Sequence, residues 1–467
     1  MRPLPTDFLG DLKSQFRNDF MSQADDDLLQ YGRDWTKVFP AKPSAIVFPQ
    51  TTDEVSRFLQ LCSRHQVAVV PSGGRTGLSG GAVATKGEVV LSLSKMNKLG
   101  PVDSIAHTVR VQAGAVTEAV HEHCEKAGLT WPIDFASKGS SQVGGNISTN
   151  AGGVKVIHYG MTRNWVLGLQ VVLMSGEVLE LNGALEKNNT WLDLRQVFIG
   201  TEGTLGVITE ATLKLTRLPG RLDVLFFAVK DMASVLRLFK EARQGPFTLM
   251  AFETLTHPCL EVVSAYRSIP SPFANPSGAY VLMEVERPGS QQAQEELDRW
   301  LAGLFEKGLV DDGVLAQSPR EAKDLWQLRE GVAESLYHKG FLHKNDIALP
   351  ISRLAEFVDR MVALFEQRHS DFGIYFFGHI GDGNLHVNTM MPEGYDRTRF
   401  LELCHQTDEA LFTLVQEFQG SISAEHGIGL LKKNALKYSR SAEEISLFKR
   451  LKHAFDPAGL LNPGKIF

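Results

Sequence analysis

Two histidines flank an Asp-Gly pair in Gly378-His379-Ile380-Gly381-Asp382-Gly383-Asn384-Leu385-His386. Asp-Gly is a dipeptide of type I′ hairpin turns, whose two central residues take positive φ. A two-residue turn at Asp382 and Gly383 predicts that Gly381 pairs with Asn384, Ile380 with Leu385 and His379 with His386. Directly opposed residues share a face with Cβ atoms about 5 Å apart, near enough for two imidazoles to chelate one metal ion. Asn384 and Asn388 fall on that face by alternation. The stretch Ser423-Ala424-Glu425-His426-Gly427-Ile428-Gly429 offers a third candidate ligand. Two His and one carboxylate leave coordination positions open for a substrate. Asp382 is explained by the turn alone.

The elements that must position these groups follow from patterning. The 467 residues allow two or three domains with ample core. A formal net charge of −6 gives no general attraction to nucleic acid. Cys62, Cys124, Cys259 and Cys404 are scattered and form no C-x-x-C pair, as expected of reduced thiols in a cytoplasmic protein. The segment Met1–Leu9 has no long apolar core and the chain turns acidic at Asp25-Asp26-Asp27, so no secretory signal is expected. No apolar run is long enough to span a bilayer.

From Pro40 to about Pro219 short apolar runs alternate with helical stretches. Ser44–Pro49, Val67–Pro71, Val89–Leu93, His107–Val111 and Leu169–Leu173 read as strands, and Thr52–His65 as a helix with Thr52 or Asp53 at its N-cap. Past Pro219 the glycine density falls. Strands at Val224–Val229, Ala279–Val285 and Gly373–Met391 interleave with helices at Met232–Arg243 and Ser290–Glu306, which suggests an antiparallel sheet carrying helices. The expected fold class is α+β, with boundaries at 1–218, 219–420 and 421–467.

Three glycine-rich segments lie between the apolar strands of the first part. They are Pro71-Ser72-Gly73-Gly74-Arg75-Thr76-Gly77 continuing to Gly81, Ser137 to Gly153, and Gly200 to Thr209. Glycines let backbone N–H groups approach an anion closely, as a pyrophosphate requires. The spacing is neither that of a P-loop nor that of a Rossmann turn. Each segment alone could be a polar loop, but three in one domain suit a long polar ligand.

With Asp193-Leu194-Arg195 before the third segment, Phe455-Asp456-Pro457 and Leu461-Asn462-Pro463-Gly464-Lys465, these motifs carry a resemblance across nearly the whole chain. The sequence resembles FAD-linked oxidases and dehydrogenases of the vanillyl-alcohol-oxidase type fold, and most of all their D-2-hydroxyglutarate and D-lactate dehydrogenase branch. The resemblance implies an FAD-binding domain, a substrate domain on an antiparallel sheet and a C-terminal segment returning to the flavin. It implies that Pro71, Ser72, Gly73, Gly74, Arg75, Thr76 and Gly77 hold the FAD pyrophosphate. By the same resemblance Pro132, Gly139, Ser140, Gly145, Asn146, Ser148, Thr149 and Gly152 line the flavin. It further implies that Glu202, Gly203 and Ile208 contact the adenosine side or nearby backbone, and that Asn462 returns to the isoalloxazine. Some relatives attach flavin through a histidine in the first loop. This loop carries Arg75 and no His, so FAD is expected to bind non-covalently. Where relatives often have Gly-Tyr before Asp-Leu-Arg, this chain has Trp191-Leu192.

The resemblance assigns His379, His386 and Glu425 as metal ligands, for which Zn²⁺ is the expected ion and Mn²⁺ or Co²⁺ the alternatives. It makes His426 the general base, a role suited to an imidazole near neutral pH. Arg329 resembles the residue that holds a substrate carboxylate with its planar fork, and Lys344 matches a second basic residue. Asn384, on the ligand face, is expected to touch substrate. Leu325 is expected to begin a helix that places position 333 on the face of Arg329. Relatives acting on hydroxyglutarate often carry a hydroxyl there and this chain has Ala333, which weakens the expected hold on a distal carboxylate. The implied activity is oxidation of a D-2-hydroxy acid, D-2-hydroxyglutarate first and D-malate or D-lactate next. The implied acceptor is an electron-transfer flavoprotein or a quinone-linked carrier, with homodimerisation allowed. The rival readings are an oxygen-using oxidase, such as a glycolate oxidase subunit, and a catalytically idle flavin-binding subunit.

Overall fold

The computed structural model describes residues 4–467; the first three residues of the Met1–Leu9 segment lie outside the described part. The helix Thr52–His65 forms over the expected span, but its cap is Thr51, whose side chain accepts from the Glu54 N–H. Val55, Phe58, Leu59 and Cys62 recur at helical spacing and are buried. The chain divides into two compact units. One comprises Met1–Gly153, Gly160–Leu218 and Glu425–Phe467, the other Val154–Tyr159 and Pro219–Ala424. The expected boundary of a separate C-terminal piece at 421 differs from this division, because residues 425–467 belong to the first unit.

In the first unit a small sheet runs Met21–Ser22, Ala45–Val47, Val89–Ser92, Val69–Ser72. Its last three strands are parallel, and their Val and Ile residues are buried on both faces. A five-stranded antiparallel sheet runs Leu99–Asp103, Thr108–Gln112, Val207–Lys214, Val166–Val172, Val178–Leu181. One hydrophobic cluster joins residues of both sheets and takes in Leu460 and Leu461 near the C-terminus.

The second unit is built on a seven-stranded antiparallel sheet. Its order is Asp312–Leu315, Arg221–Val229, Ala279–Arg287, Thr248–Thr256, Gly373–Gly378, Asn384–Met390, Leu342–Ala348. Val224, Phe226, Leu255, Leu282, Leu328, Leu336 and Phe377 pack the helices onto it. The helix expected to begin at Leu325 begins earlier, at Pro319, capped by Ser318. It ends at Glu330, and a second helix, Val332–Lys339, starts after Gly331.

Candidate metal and flavin sites

The hairpin that carries the histidines is looser than its sequence predicts. Phe377, not His379, stands opposite His386. The strands stop at Gly378 and Asn384, and His379 to Gly383 form a turn in which the His379 carbonyl accepts from the N–H groups of Asp382 and Asn384. Only Gly383 of the Asp-Gly pair has positive φ, at 87°, so the I′ geometry is not met. Extending the register sets His379 opposite Asn384, which makes His379 and His386 diagonal neighbours on one face. Diagonal neighbours remain within reach of long side chains: the two ring centroids are 5.3 Å apart, at 85°.

Each imidazole is backed by a carboxylate on the neighbouring strand. Thr254 pairs with Gly378, so Glu253 falls opposite His379 one step further along. His379 Nδ1 lies 2.8 Å from Glu253 Oε1 and 2.7 Å from Oε2. Asp346 is directly opposite His386, its Oδ1 3.5 Å from the Nδ1 of that ring. An ionised carboxylate only accepts, so Nδ1 of His379 carries the proton and Nε2 keeps its lone pair. That is the tautomer a metal needs. Glu425 directly follows Ala424, whose N–H donates to Asp346 Oδ2. Two imidazoles held on one face and the Glu425 carboxylate make a donor set that fits a divalent transition metal.

A second group among the described residues, His343, His405 and Asp408, brings three ligand atoms within 4.8 Å of one another. Its chemistry differs. The Nε2 of His343 is 2.8 Å from Asp408 Oδ2, and Asn345 Nδ2 donates to Oδ1 of the same carboxylate. These donors satisfy one another and tie the helix Arg397–Glu417 to the strand Leu342–Ala348.

Arg329 is buried, with its Nη2 2.6 Å from Glu253 Oε2 and its guanidinium 4.9 Å above the Phe377 ring. Neither its Nε nor its Nη2 makes a hydrogen bond within the chain, so Nη2 and Glu253 Oε2 meet as an ion pair. Ala333 is exposed and lies in the helix after the one that carries Arg329. Partial burial holds the Lys344 ammonium below its ordinary pKa, though the residue as a whole is exposed. Asn384 is buried and spends its amide N–H groups on Asp346 Oδ1 and the Ile347 carbonyl; its Oδ1 alone lacks a partner. Glu253 and Asp346 were missed by sequence reasoning. Their signal is a carboxylate at an inward position of a buried strand.

In the first unit the three glycine segments converge. Gly74 passes so close to the second segment that a Cβ there would lie 2.1 Å from the Ser140 carbonyl oxygen. A Cβ on Gly203 would meet the Pro71 ring, whereas Gly77 and Gly145 face open space. The Glu202 N–H donates to the Ser148 carbonyl and the Gly200 N–H to that of Ile147. Asn146 donates to Thr117 Oγ1 and Thr149 Oγ1 to the Gly145 carbonyl, so these side chains shape the segment. Arg75 takes a left-handed backbone, φ 59°, and its guanidinium stacks 4.4 Å over Tyr31. Ile208 is buried in the strand Val207–Lys214, and Pro132 is buried beside Trp131.

The C-terminal segment returns to this place. Asn462 pairs through its N–H with the Val69 carbonyl, and its Nδ2 donates to the carbonyls of Gly81 and Glu202. Lys452 Nζ donates to Thr204 and Leu461 carbonyls and to Asp456. The Glu202 carboxylate accepts from the N–H groups of Ile428 and Gly429, and burial raises its pKa against those two bonds. His426 is held through its carbonyl, which accepts from Ser79 Oγ. Buried Ser72 Oγ, Gln142 Oε1 and Asn462 Oδ1 have no partner in the chain. A glycine ribbon with open backbone on one side and orphaned polar atoms at its ends fits a dinucleotide.

The class defined by this fold and these segments is an FAD-dependent oxidoreductase of the vanillyl-alcohol-oxidase type. Residues 43–182 match the family model described as FAD binding domain, and residues 218–466 match FAD linked oxidases, C-terminal domain. The chain belongs to the FAD-linked oxidase family. It is 45% identical over 442 residues to D-2-hydroxyglutarate dehydrogenase of Stutzerimonas stutzeri, covering 95% of each chain. It is 46% identical to the protein of that name from Xanthomonas citri pv. viticola, covering 94% of this chain and 93% of that one. Among solved structures it resembles p-cresol methylhydroxylase, with TM-score 0.75 and 17% identity over 99% of this chain and 97% of the other, a likeness of fold.

Proposed function

We propose that the protein oxidises a D-2-hydroxy acid to the 2-oxo acid, with D-2-hydroxyglutarate the favoured substrate and D-malate or D-lactate the alternatives. The observation that carries the reading is the imidazole pair with carboxylates behind it, in a chain whose relatives named above are D-2-hydroxyglutarate dehydrogenases. Bound FAD supplies a two-electron acceptor for the C2 hydride. A divalent ion at His379, His386 and Glu425, zinc before manganese or cobalt, would supply a Lewis acid suited to the hydroxyl and carboxylate oxygens of a 2-hydroxy acid.

The chain does the rest. His426 takes the hydroxyl proton as C2–H leaves, so the carbon loses a hydride, the oxygen a proton, and C=O forms. Arg329, through its unpartnered Nε, and Lys344 hold substrate carboxylate. Asn384 acts through its open Oδ1. Residues 71–77, Pro132, Gly139, Ser140, Gly145, Asn146, Ser148, Thr149, Gly152, Glu202, Gly203, Ile208 and Asn462 hold the FAD without a covalent bond. The first 218 residues serve the flavin, 219–420 the substrate, and 421–467 complete both sites. An electron-transfer flavoprotein or a quinone-linked carrier reoxidises the flavin. The four buried, unpaired cysteines support a cytoplasmic setting, and no helix among the described residues is long and apolar enough to cross a membrane.

A dye-coupled assay over paired D- and L-2-hydroxy acids tests the reading. Turnover is expected with D-2-hydroxyglutarate, with no need for NAD and little peroxide formed in air. Turnover confined to the L-enantiomers, or peroxide matching substrate consumed, would overturn it.

A further inference from the structure

We infer that Glu253, clamped by Arg329, is the positioning residue that fixes His379 as a metal ligand; this rests on the metal reading above. Glu253 is 1% exposed in a strand whose neighbours Met250, Ala251, Phe252 and Leu255 are all buried. A carboxylate so placed is costly unless paired and hydrogen-bonded. Its two partners are Arg329, at 2.6 Å, and His379 Nδ1, at 2.7–2.8 Å. Phe377 under the guanidinium fixes the direction from which Arg329 approaches. With Arg329 on Oε2, Glu253 cannot swing away from the imidazole. The His379 Nδ1–H is thereby pinned and Nε2 is turned to the ion. Metal-bound histidines owe much of their affinity to such partners, about 10- to 100-fold.

The arrangement needs two acceptors because it serves two donors. Glutamate has them; glutamine has one acceptor oxygen and an NH₂ group. In Glu253→Gln the guanidinium, which can only donate, claims the amide oxygen. The NH₂ then faces His379 Nδ1, which accepts only if the ring proton moves to Nε2. Nε2 is the atom that must bind metal. Removing Arg329 as well, in Glu253→Gln/Arg329→Met, returns the amide oxygen to His379. The Met side chain covers Phe377 in place of the guanidinium.

The experiment is a zinc titration of the chelator-stripped, FAD-loaded protein against a competing chromophoric chelator. Flavin absorbance monitors the fold of each variant. Glu253→Gln should weaken zinc by about 10- to 100-fold with the flavin spectrum unchanged, and the double variant should recover most of that loss. Wild-type zinc affinity in Glu253→Gln, or no recovery in the double variant, would overturn the inference. Glu253→Asp, one methylene short of His379, should also bind zinc more weakly and carries the test if either of the other variants fails to fold; wild-type affinity in Glu253→Asp would then overturn the inference. His379→Ala separates the two readings. If it keeps wild-type affinity, the ligand assignment is wrong; if it loses zinc while Glu253→Gln does not, only the positioning role is wrong.

Discussion

Of the five histidines and carboxylates at the proposed metal site, His379, His386 and Glu425 are visible in the sequence, and Glu253 and Asp346 are not. His379 and His386 stand out because a pair about a turn is uncommon without a purpose. Glu253 and Asp346 are single acidic residues in strands, and one buried carboxylate in an apolar run looks like noise until the register sets it opposite an imidazole. Asn384 illustrates the reverse: it shares the ligand face as expected, yet its amide nitrogen is consumed by Asp346. At this scale the base is testable on its own. His426→Ala should retain FAD and zinc and lose flavin reduction by about 10²- to 10⁴-fold in stopped flow, the range for a general base. Reduction at the wild-type rate would remove His426 from that role.

The elements were legible where local rules decide them. Thr52–His65 follows from its apolar spacing, and the strand Thr108–Gln112 from alternation. The hairpin register was not legible, because Asp-Gly also suits a longer turn, and here Gly381 donates to the Phe252 carbonyl of the next strand. A tertiary contact therefore set the register. Convergence of the glycine segments is equally non-local, and Gly74→Ala tests it: the methyl has backbone 2.1 Å away, so the variant should purify with most of its FAD lost, read as a fall in flavin absorbance relative to protein absorbance. The C-terminal return carries its own signature. Lys465 is buried with Nζ on the Val83 carbonyl, and burial lowers its pKa to about 8, Glu88 and Asp34 opposing the fall and Lys86 and Lys433 adding to it. Between about pH 8 and 10.5 the unfolded chain holds a proton that the folded chain has shed, so stability rises with pH across that window. Its full size is about 3 kcal/mol. Lys465→Met should flatten that rise in urea unfolding; an unchanged pH slope would contradict it.

At the scale of the whole molecule, chain length allowed two or three domains, and Pro219 marks a change that the compact units share. The division of labour between a flavin unit and an antiparallel-sheet unit came from motifs in combination, since no single glycine loop specifies a dinucleotide. The return of residues 425–467 to the first unit was legible only through resemblance, because nothing local in Asn462 points to Gly81. Arg75 in the first loop predicts that acid precipitation releases all flavin to the supernatant; flavin left on the pellet would refute non-covalent binding. The central claim, that a D-2-hydroxy acid delivers its C2 hydride to the bound flavin, is tested most directly by anaerobic titration of the purified holoenzyme. D-2-hydroxyglutarate should bleach the flavin band with one equivalent of 2-oxo acid formed per flavin, and the L-enantiomer should leave it oxidised. A band that stays oxidised with every D-2-hydroxy acid, or that bleaches only with NADH, would contradict the account.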